Sequence, residues 1–145
     1  PETAKFNMIA FDSTITVWRE SMMDASPKTV DDALKWVRAL RPKGSTYIDG
    51  ALRKAFRMAG LGAVDKAYDD VNIDTIVLLS DGAPTDSGAP GKQATLMDDE
   101  IILQHVREWN RYKRVVIHTV GVDMLPYIEF LKKLAAENGG KYVDR

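Results

Sequence analysis

The stretch DTIVLLSDG, residues 74–82, holds four consecutive apolar residues between a threonine and a Ser-Asp-Gly turn. A short continuous apolar run that ends in a turn is typical of a strand buried on both faces of a parallel sheet. We therefore predict that the centre of a parallel sheet lies here.

The segments on either side of this strand alternate between helical and extended patterns. Upstream, KFNMIAF and STITVW predict two strands joined tightly at Asp12-Ser13, and Ser26-Pro27 is a helix start because Ser caps free amides and Pro suits the first helical position. Apolar residues at helical spacing predict helices in residues 27–41, 52–59, 98–111 and 125–135, and further strands are predicted at 115–122 and 141–145.

This order predicts a Rossmann-like, three-layer α/β sandwich with a mostly parallel sheet and an antiparallel edge hairpin. The ligand site of such a fold lies at the carboxyl ends of the strands. The long Gly- and Pro-rich loop that follows the central strand, residues 82–96, is the candidate rim of that site.

The composition fits one soluble globular domain. The chain has 145 residues, of which 45% are hydrophobic and 28% are charged. Its net charge is -1, so it lacks the excess of positive charge with which proteins bind nucleic acid. No apolar run approaches the length of a membrane span, and the absence of cysteine excludes disulfides and thiolate metal sites without indicating a compartment. The start lacks an initiator Met, and we expect a piece of a longer protein.

Two polar clusters fall at the edge where the site is expected. These are Gly44-Ser45-Thr46, before the second helix, and Ser80-Asp81-Gly82, at the tip of the apolar strand. A hydroxyl and a carboxylate on adjacent loops supply part of the oxygen octahedron that Mg²⁺ prefers. Two simpler interpretations stay open: residues 46–49 also form a capping-box pattern, and Asp81-Gly82 is also an ordinary turn.

The order of GSTYIDGAL, IVLLSDGAPTD, VVIHTVGVD and ENGGKYV resembles that of the von Willebrand factor A domain, and residues 6–40 are similar to its inter-alpha-trypsin-inhibitor-like branch. The resemblance implies a non-enzymatic, adhesion-type domain that binds another protein. It also implies a metal-ion-dependent adhesion site for Mg²⁺, or for Mn²⁺ or Ca²⁺, with Thr46 as the threonine ligand and Asp81 as the acid. A carboxylate of the partner then completes the metal shell.

One departure from the family pattern concerns the start of the chain. The family's D-x-S-x-S metal loop follows a first, central strand, whereas this sequence starts at the hairpin, so residues 1–145 resemble a single, N-terminally incomplete domain. We expect weak metal binding and a gap between KFNMIAF and DTIVLLS. Another segment, a strand exchanged within a homo-oligomer, or an upstream piece is expected to fill that gap.

The stretch FDSTIT contains a D-x-T-x-T pattern, Asp12-Thr14-Thr16, that invites two other interpretations. As a metal loop it is disfavoured, because alternate residues of a strand stand about 7 Å apart and do not converge. As a phosphatase nucleophile, Asp12 resembles the first motif of haloacid-dehalogenase-like enzymes, but their second acid is replaced here by Thr14. We therefore predict a hairpin, and we assign His105 and His118 to the core or the surface.

Overall fold

The structure is a computed structural model that describes residues 4–41, 44–60, 73–87, 93–112, 114–122 and 127–145. Its elements, in chain order, are β1 (Lys5–Phe6), β2 (Ile9–Phe11), β3 (Ile15–Val17), β4 (Met23–Asp24), α1 (Pro27–Ala39), α2 (Ile48–Met58), β5 (Thr75–Ser80), α3 (Asp99–Trp109), β6 (Val116–Gly121), α4 (Ile128–Glu137) and β7 (Tyr142–Asp144).

A parallel sheet in the order β5-β6-β7 forms the centre of the fold. Leu78 of β5 and Ile117 of β6 project from one face into a single core that they share with α2, α3 and α4. The Thr119 hydroxyl, on the same face, donates to the Leu131 carbonyl of α4 at 2.8 Å. Strands that alternate with helices around a parallel sheet confirm the predicted Rossmann-like α/β class.

The opposite face of β5 is open to solvent, which the sequence did not predict. Val77 is 57% exposed and Leu79 is 58% exposed, whereas Leu78 between them is buried. Side chains alternate between the two faces of a strand, and α2, α3 and α4 share the core on the Leu78 side. The prediction of a strand buried on both faces is therefore wrong.

The amino-terminal segment folds into two antiparallel pairs. β2 pairs with β3 across the Asp12-Ser13 turn, as predicted. β1 pairs with β4, which the sequence pattern did not reveal. Asn7 separates β1 from β2, because its side-chain amide donates to the carbonyls of Arg19 at 2.8 Å and Ser21 at 3.0 Å. One polar side chain thus divides the predicted KFNMIAF strand.

Helix α1 begins where the sequence predicts but buries only part of its apolar stripe, at Ala33. The Ser26 hydroxyl accepts a hydrogen bond from the Thr29 amide at 3.2 Å, and Pro27 is the first helical residue. Val30, Leu34 and Val37 nevertheless remain 42–47% exposed. Across the described ranges, no helix combines the length and the apolar character that a membrane crossing requires.

Strands β2 and β5 do not pair with each other, and a groove of about 670 Å³ lies between them. This is the position at which the sequence predicts a gap. The two strands run in the same direction, because Asp12, which follows β2, and the loop that follows β5 both contact the start of α2.

Two buried asparagines form hydrogen bonds near the start of β6, at the edge of the sheet opposite the carboxyl ends of its strands. The Asn110 amide, at the end of α3, donates to the Val115 carbonyl and to the Asn138 side-chain oxygen, each at 2.7 Å. Asn138, at the end of α4, donates in turn to the Leu134 carbonyl at 2.8 Å. The ends of both helices are therefore joined to the start of β6.

Candidate functional site

The segment before α2 is held against the loop that follows β5. The Thr46 amide donates to the Thr85 hydroxyl at 2.9 Å, and the Thr46 carbonyl accepts from the Thr85 amide at 3.0 Å. These two hydrogen bonds join residues 39 positions apart in sequence. They fix Thr46 beside the turn that contains Asp81.

The side chain of Thr46 lies directly against Gly82. A Cβ atom added to Gly82 would stand 2.5 Å from the Thr46 hydroxyl oxygen, a separation too short for any side chain. The Gly82 φ angle is not in the left-handed region, so this position requires glycine for space and not for backbone conformation. The residue before Gly82 is Asp81, and the structure therefore brings the two predicted loops together.

The capping-box interpretation of residues 46–49 is wrong. Tyr47 is the N-cap residue of α2, and no side chain caps that end of the helix. The Asp49 carboxylate instead accepts from the Arg53 guanidinium at 2.9 Å and lies 2.7 Å from the His105 ring Nδ1. Asp49 is only 1% exposed, so its burial is compensated by these two partners. The Thr46 hydroxyl is thus not used to cap α2.

The tip of the hairpin also contacts this segment. The Asp12 carbonyl accepts from the Tyr47 amide at 3.1 Å, and the hydroxyls of Ser13 and Ser45 are 3.0 Å apart. The sequence did not indicate the contribution of Ser13, because its partner Ser45 lies 32 residues further along the chain. Three separate loops therefore meet at the carboxyl ends of β2 and β5.

Asp12 itself stabilises the hairpin turn. One of its carboxylate oxygens accepts from the Thr14 amide at 2.7 Å and from the Thr14 hydroxyl at 2.9 Å. This is the local hydrogen bonding by which aspartate closes turns. The hairpin interpretation of FDSTIT is confirmed, and the carboxylate that a phosphatase would need as a nucleophile has a structural role.

The loop predicted to form the rim is closed at its base. Thr85 forms a β-bridge with Leu96, and the Asp86 amide donates to the Thr95 carbonyl at 2.9 Å. The Asp86 carboxylate accepts from the Thr95 amide, also at 2.9 Å. Residues 88–92, at the tip of the predicted contact loop, lie outside the described ranges.

Acidic side chains at the start of α3 form hydrogen bonds to residues of α3 and α4. Asp98 caps the helix by accepting from the Glu100 amide at 2.9 Å. Burial, together with the nearby Asp98 charge, raises the pKa of Asp99. Hydrogen bonds from Lys133 and Arg107 lower the pKa of Glu100 to about 2. Asp98 therefore serves the amino end of α3, and Glu100 serves the contact between α3 and α4.

The two histidines have structural environments. His105 is paired with Asp49, and the His118 ring nitrogen Nδ1 accepts from the Lys141 amide at 3.0 Å. Among the described residues, no group of three or more His, Cys, Asp or Glu side chains is placed to hold a metal ion. A cation at the Thr46 edge would accordingly depend on hydroxyl, carboxylate and water oxygens.

These features define a class: an α/β domain whose hydroxyl-bearing loop and Ser-Asp-Gly turn meet at the carboxyl edge of a parallel sheet. The sequence matches the von Willebrand factor type A domain family over residues 1–144. The chain therefore belongs to the von Willebrand factor type A domain family, whose members mediate interactions between proteins.

Three human relatives illustrate the match. The chain is 27% identical over 139 residues to von Willebrand factor A domain-containing protein 3A of Homo sapiens. The alignment covers 94% of this chain and 10% of the relative. It is 29% identical over 138 residues to inter-alpha-trypsin inhibitor heavy chain H4, and this alignment covers 94% of this chain and 14% of the relative. It is 27% identical over 135 residues to heavy chain H2, where the alignment covers 93% of this chain and 13% of the relative. The chain thus spans a small part of these proteins.

Proposed function

We propose that this domain binds another protein through a divalent cation held by Thr46 and Asp81. The observation that carries the proposal is the contact of the Thr46 hydroxyl with Gly82, the residue next to Asp81. That hydroxyl makes no helix-capping hydrogen bond, so the structural role that competed with metal binding is not in use.

The donor atoms favour a hard cation. Mg²⁺ takes about six oxygen ligands at about 2.1 Å and retains several waters, so one hydroxyl and one carboxylate are compatible partners for it. Mn²⁺ and Ca²⁺ accept the same oxygen ligands. Because the described residues supply two such side chains, Thr46 and Asp81, binding of the cation alone is expected to be weak. A carboxylate of the partner strengthens it by taking a position otherwise held by water.

The contact surface includes residues 83–91. The base of this loop is held by the Thr85–Leu96 bridge and by the hydrogen bonds between Asp86 and Thr95. The same Thr85 binds the backbone of Thr46, so the loop and the metal-binding residues are positioned together. A partner that contacts the described base of this loop, residues 83–87, therefore also lies close to Thr46.

Isothermal titration of the 145-residue protein with MgCl₂ and MnCl₂ tests the cation site. We expect weak binding that is lost in Asp81→Asn and reduced at least tenfold in Thr46→Val, which keeps the shape of the side chain and removes its oxygen. Asp74→Asn is the matched control, because Asp74 is exposed and precedes the same strand that Asp81 follows. Equal titrations for all four proteins would reject the site.

We also propose that the domain is not an enzyme. Asp12 is the residue on which the phosphatase alternative depends, and its carboxylate closes the hairpin turn. We expect no hydrolysis of p-nitrophenyl phosphate above the uncatalysed rate. Turnover that disappears in Asp12→Asn would contradict this part of the proposal without affecting the titration result.

A further inference from the structure

Residues 84–86 and 95–97 pair as a short antiparallel ribbon, which we call the rim ribbon. Its two backbone hydrogen bonds are each 2.9 Å long, and Thr85 lies opposite Leu96 between them. The strand 95–97 continues directly into Asp98, the N-cap residue of α3. The rim ribbon is therefore anchored to a helix, and Thr85 stands at its centre.

Thr85 holds both peptide groups that flank the Cα atom of Thr46. The Thr46 amide donates to the Thr85 hydroxyl at 2.9 Å, and the Thr46 carbonyl accepts from the Thr85 amide at 3.0 Å. The same carbonyl also accepts from the amide of Ile48, the first residue of α2, at 2.9 Å. Because the backbone is fixed on both sides of this Cα atom, the direction of the Thr46 side chain is fixed as well.

The Thr85 hydroxyl is the part of this arrangement that depends on the type of residue. Any residue except proline offers the backbone amide that donates to the Thr46 carbonyl, whereas the acceptor for the Thr46 amide is a side-chain oxygen. Both threonines are half-buried, so water only partly replaces an acceptor lost from this position. Without the hydroxyl, the Thr46 backbone is held from one side only.

We propose that Thr85 is a positioning residue for the cation at Thr46 and Asp81, and that its hydroxyl sets the affinity of that cation. The inference rests on the proposed function. The Thr46 hydroxyl meets Gly82, the neighbour of Asp81, in the backbone orientation that Thr85 holds. Hydrogen-bonding residues that orient metal ligands typically contribute a factor of about 10–100 to metal affinity.

A purely structural role of Thr85 makes a different prediction. It would lower the stability of the domain when the hydroxyl is removed, but the molecules that stay folded would bind the cation as before. A positioning role changes the cation affinity of the folded molecules and is restored by serine, which supplies the same acceptor.

Four variants separate the two roles. Thr85→Val keeps the shape of the side chain and removes the acceptor, Thr85→Ser keeps the hydroxyl, and Thr85→Ala provides a second removal in case valine prevents folding. Thr95→Val is the matched control, because the Thr95 hydroxyl belongs to the same rim ribbon but donates to the Asp86 carboxylate at 2.8 Å. The Thr95 amide keeps its own hydrogen bond to that carboxylate.

Hydrogen exchange followed by NMR in EDTA tests the geometry without any cation. Exchange of the Thr46 amide should become at least about tenfold faster in Thr85→Val and Thr85→Ala, and should stay within about twofold in Thr85→Ser and Thr95→Val. The Tyr47 amide, which donates to the Asp12 carbonyl, is the internal reference and should not change. An unchanged Thr46 exchange rate in the valine and alanine variants would overturn the inference, whatever the cation does.

Titration with MnCl₂ measures the affinity at the site, through paramagnetic broadening of the Thr46 and Gly82 amide signals. Thr85→Val and Thr85→Ala should bind Mn²⁺ at least about tenfold more weakly than the wild type, whereas Thr85→Ser and Thr95→Val should bind it like the wild type. Equal affinity of the wild type and the valine variant, or an equal loss in Thr95→Val, would overturn the inference and leave the proposed function intact. Absence of Mn²⁺ binding to the wild type would reject the proposed function and this inference with it.

Discussion

The contact between Gly82 and Thr46 gives a sharp test of how the two loops meet. In Gly82→Ala, the new Cβ would stand 2.5 Å from the Thr46 hydroxyl oxygen, whereas ordinary contacts begin at 3.4 Å. The loops must therefore separate by about 0.9 Å, because the hydroxyl oxygen is bonded to Cβ and has no long flexible chain to absorb the shift.

The cost follows from overpacking. Inserting a methyl group into a closely packed site typically costs about 1–3 kcal/mol. For a domain of this size, each kcal/mol lowers the melting temperature by about 3 °C, so we expect a decrease of about 3–9 °C. Thermal unfolding in EDTA, followed by circular dichroism, measures this effect without any contribution from a bound cation.

A double-mutant cycle isolates the contact. Thr46→Ala removes the hydroxyl and leaves the Thr46 Cβ at 3.6 Å from the added Gly82 Cβ, which is an ordinary separation. Gly82→Ala should therefore cost less than about 0.5 kcal/mol in the Thr46→Ala background. Thr46→Ser keeps the oxygen and should give no such rescue. An equal cost of Gly82→Ala in all three backgrounds would refute the contact between the loops.

Two further predictions concern ionised groups. The pKa of Glu100 is lowered from 4.5 to about 2 in the folded protein, so its ion pairs stabilise the fold above pH 4.5 and this contribution is lost as the pH falls toward 2. Glu100→Gln should therefore flatten the decrease in melting temperature between these pH values, and an unchanged profile would refute the assignment. Asp49→Asn should cost about 2 kcal/mol, because Arg53 and the His105 ring lose the buried carboxylate that they contact. Urea unfolding at pH 7 checks this value, and a cost that persists undiminished in a His105→Ala background would show that the Asp49–His105 contact contributes nothing.

The elements with strong local signals were predictable from sequence. The apolar run of β5, the serine and proline before α1 and the helical spacing in α2 depend on neighbouring residues. The β1–β4 pair was not predictable, because each of its strands has only two residues. Strands this short leave no periodic pattern in sequence.

Two wrong predictions have the same physical origin. Four apolar residues in β5 suggested burial on both faces, but side-chain type does not reveal which faces of a sheet are covered. Likewise, the spacing of Thr46 and Asp49 suggested a capping box, but Asp49 is bound by His105, 56 residues away. Each outcome depends on tertiary neighbours that local pattern does not specify.

The meeting of the candidate loops was predictable in outline. The carboxyl ends of the strands in a parallel sheet lie at a common edge, so the sequence predicts Thr46 and Asp81 in the same region. The close approach of Gly82 and the contacts from Thr85 and Ser13 were not predictable, because they depend on loop conformation. A role of Thr46 and Asp81 as metal ligands stays a prediction until the titration is performed.

The buried Asn138 also sets a limit on how often this protein can unfold and recover. It precedes Gly139, and an Asn-Gly bond in a flexible chain readily forms a succinimide that hydrolyses to aspartate or isoaspartate. In the folded state, the Asn138 amide is held by the Leu134 carbonyl, which restrains this reaction. After deamidation, a carboxylate oxygen would face the Leu134 carbonyl in place of the amide that now donates to it, so two buried acceptors would meet without a proton between them. Damaged molecules should therefore accumulate with each heating cycle and make thermal denaturation progressively irreversible.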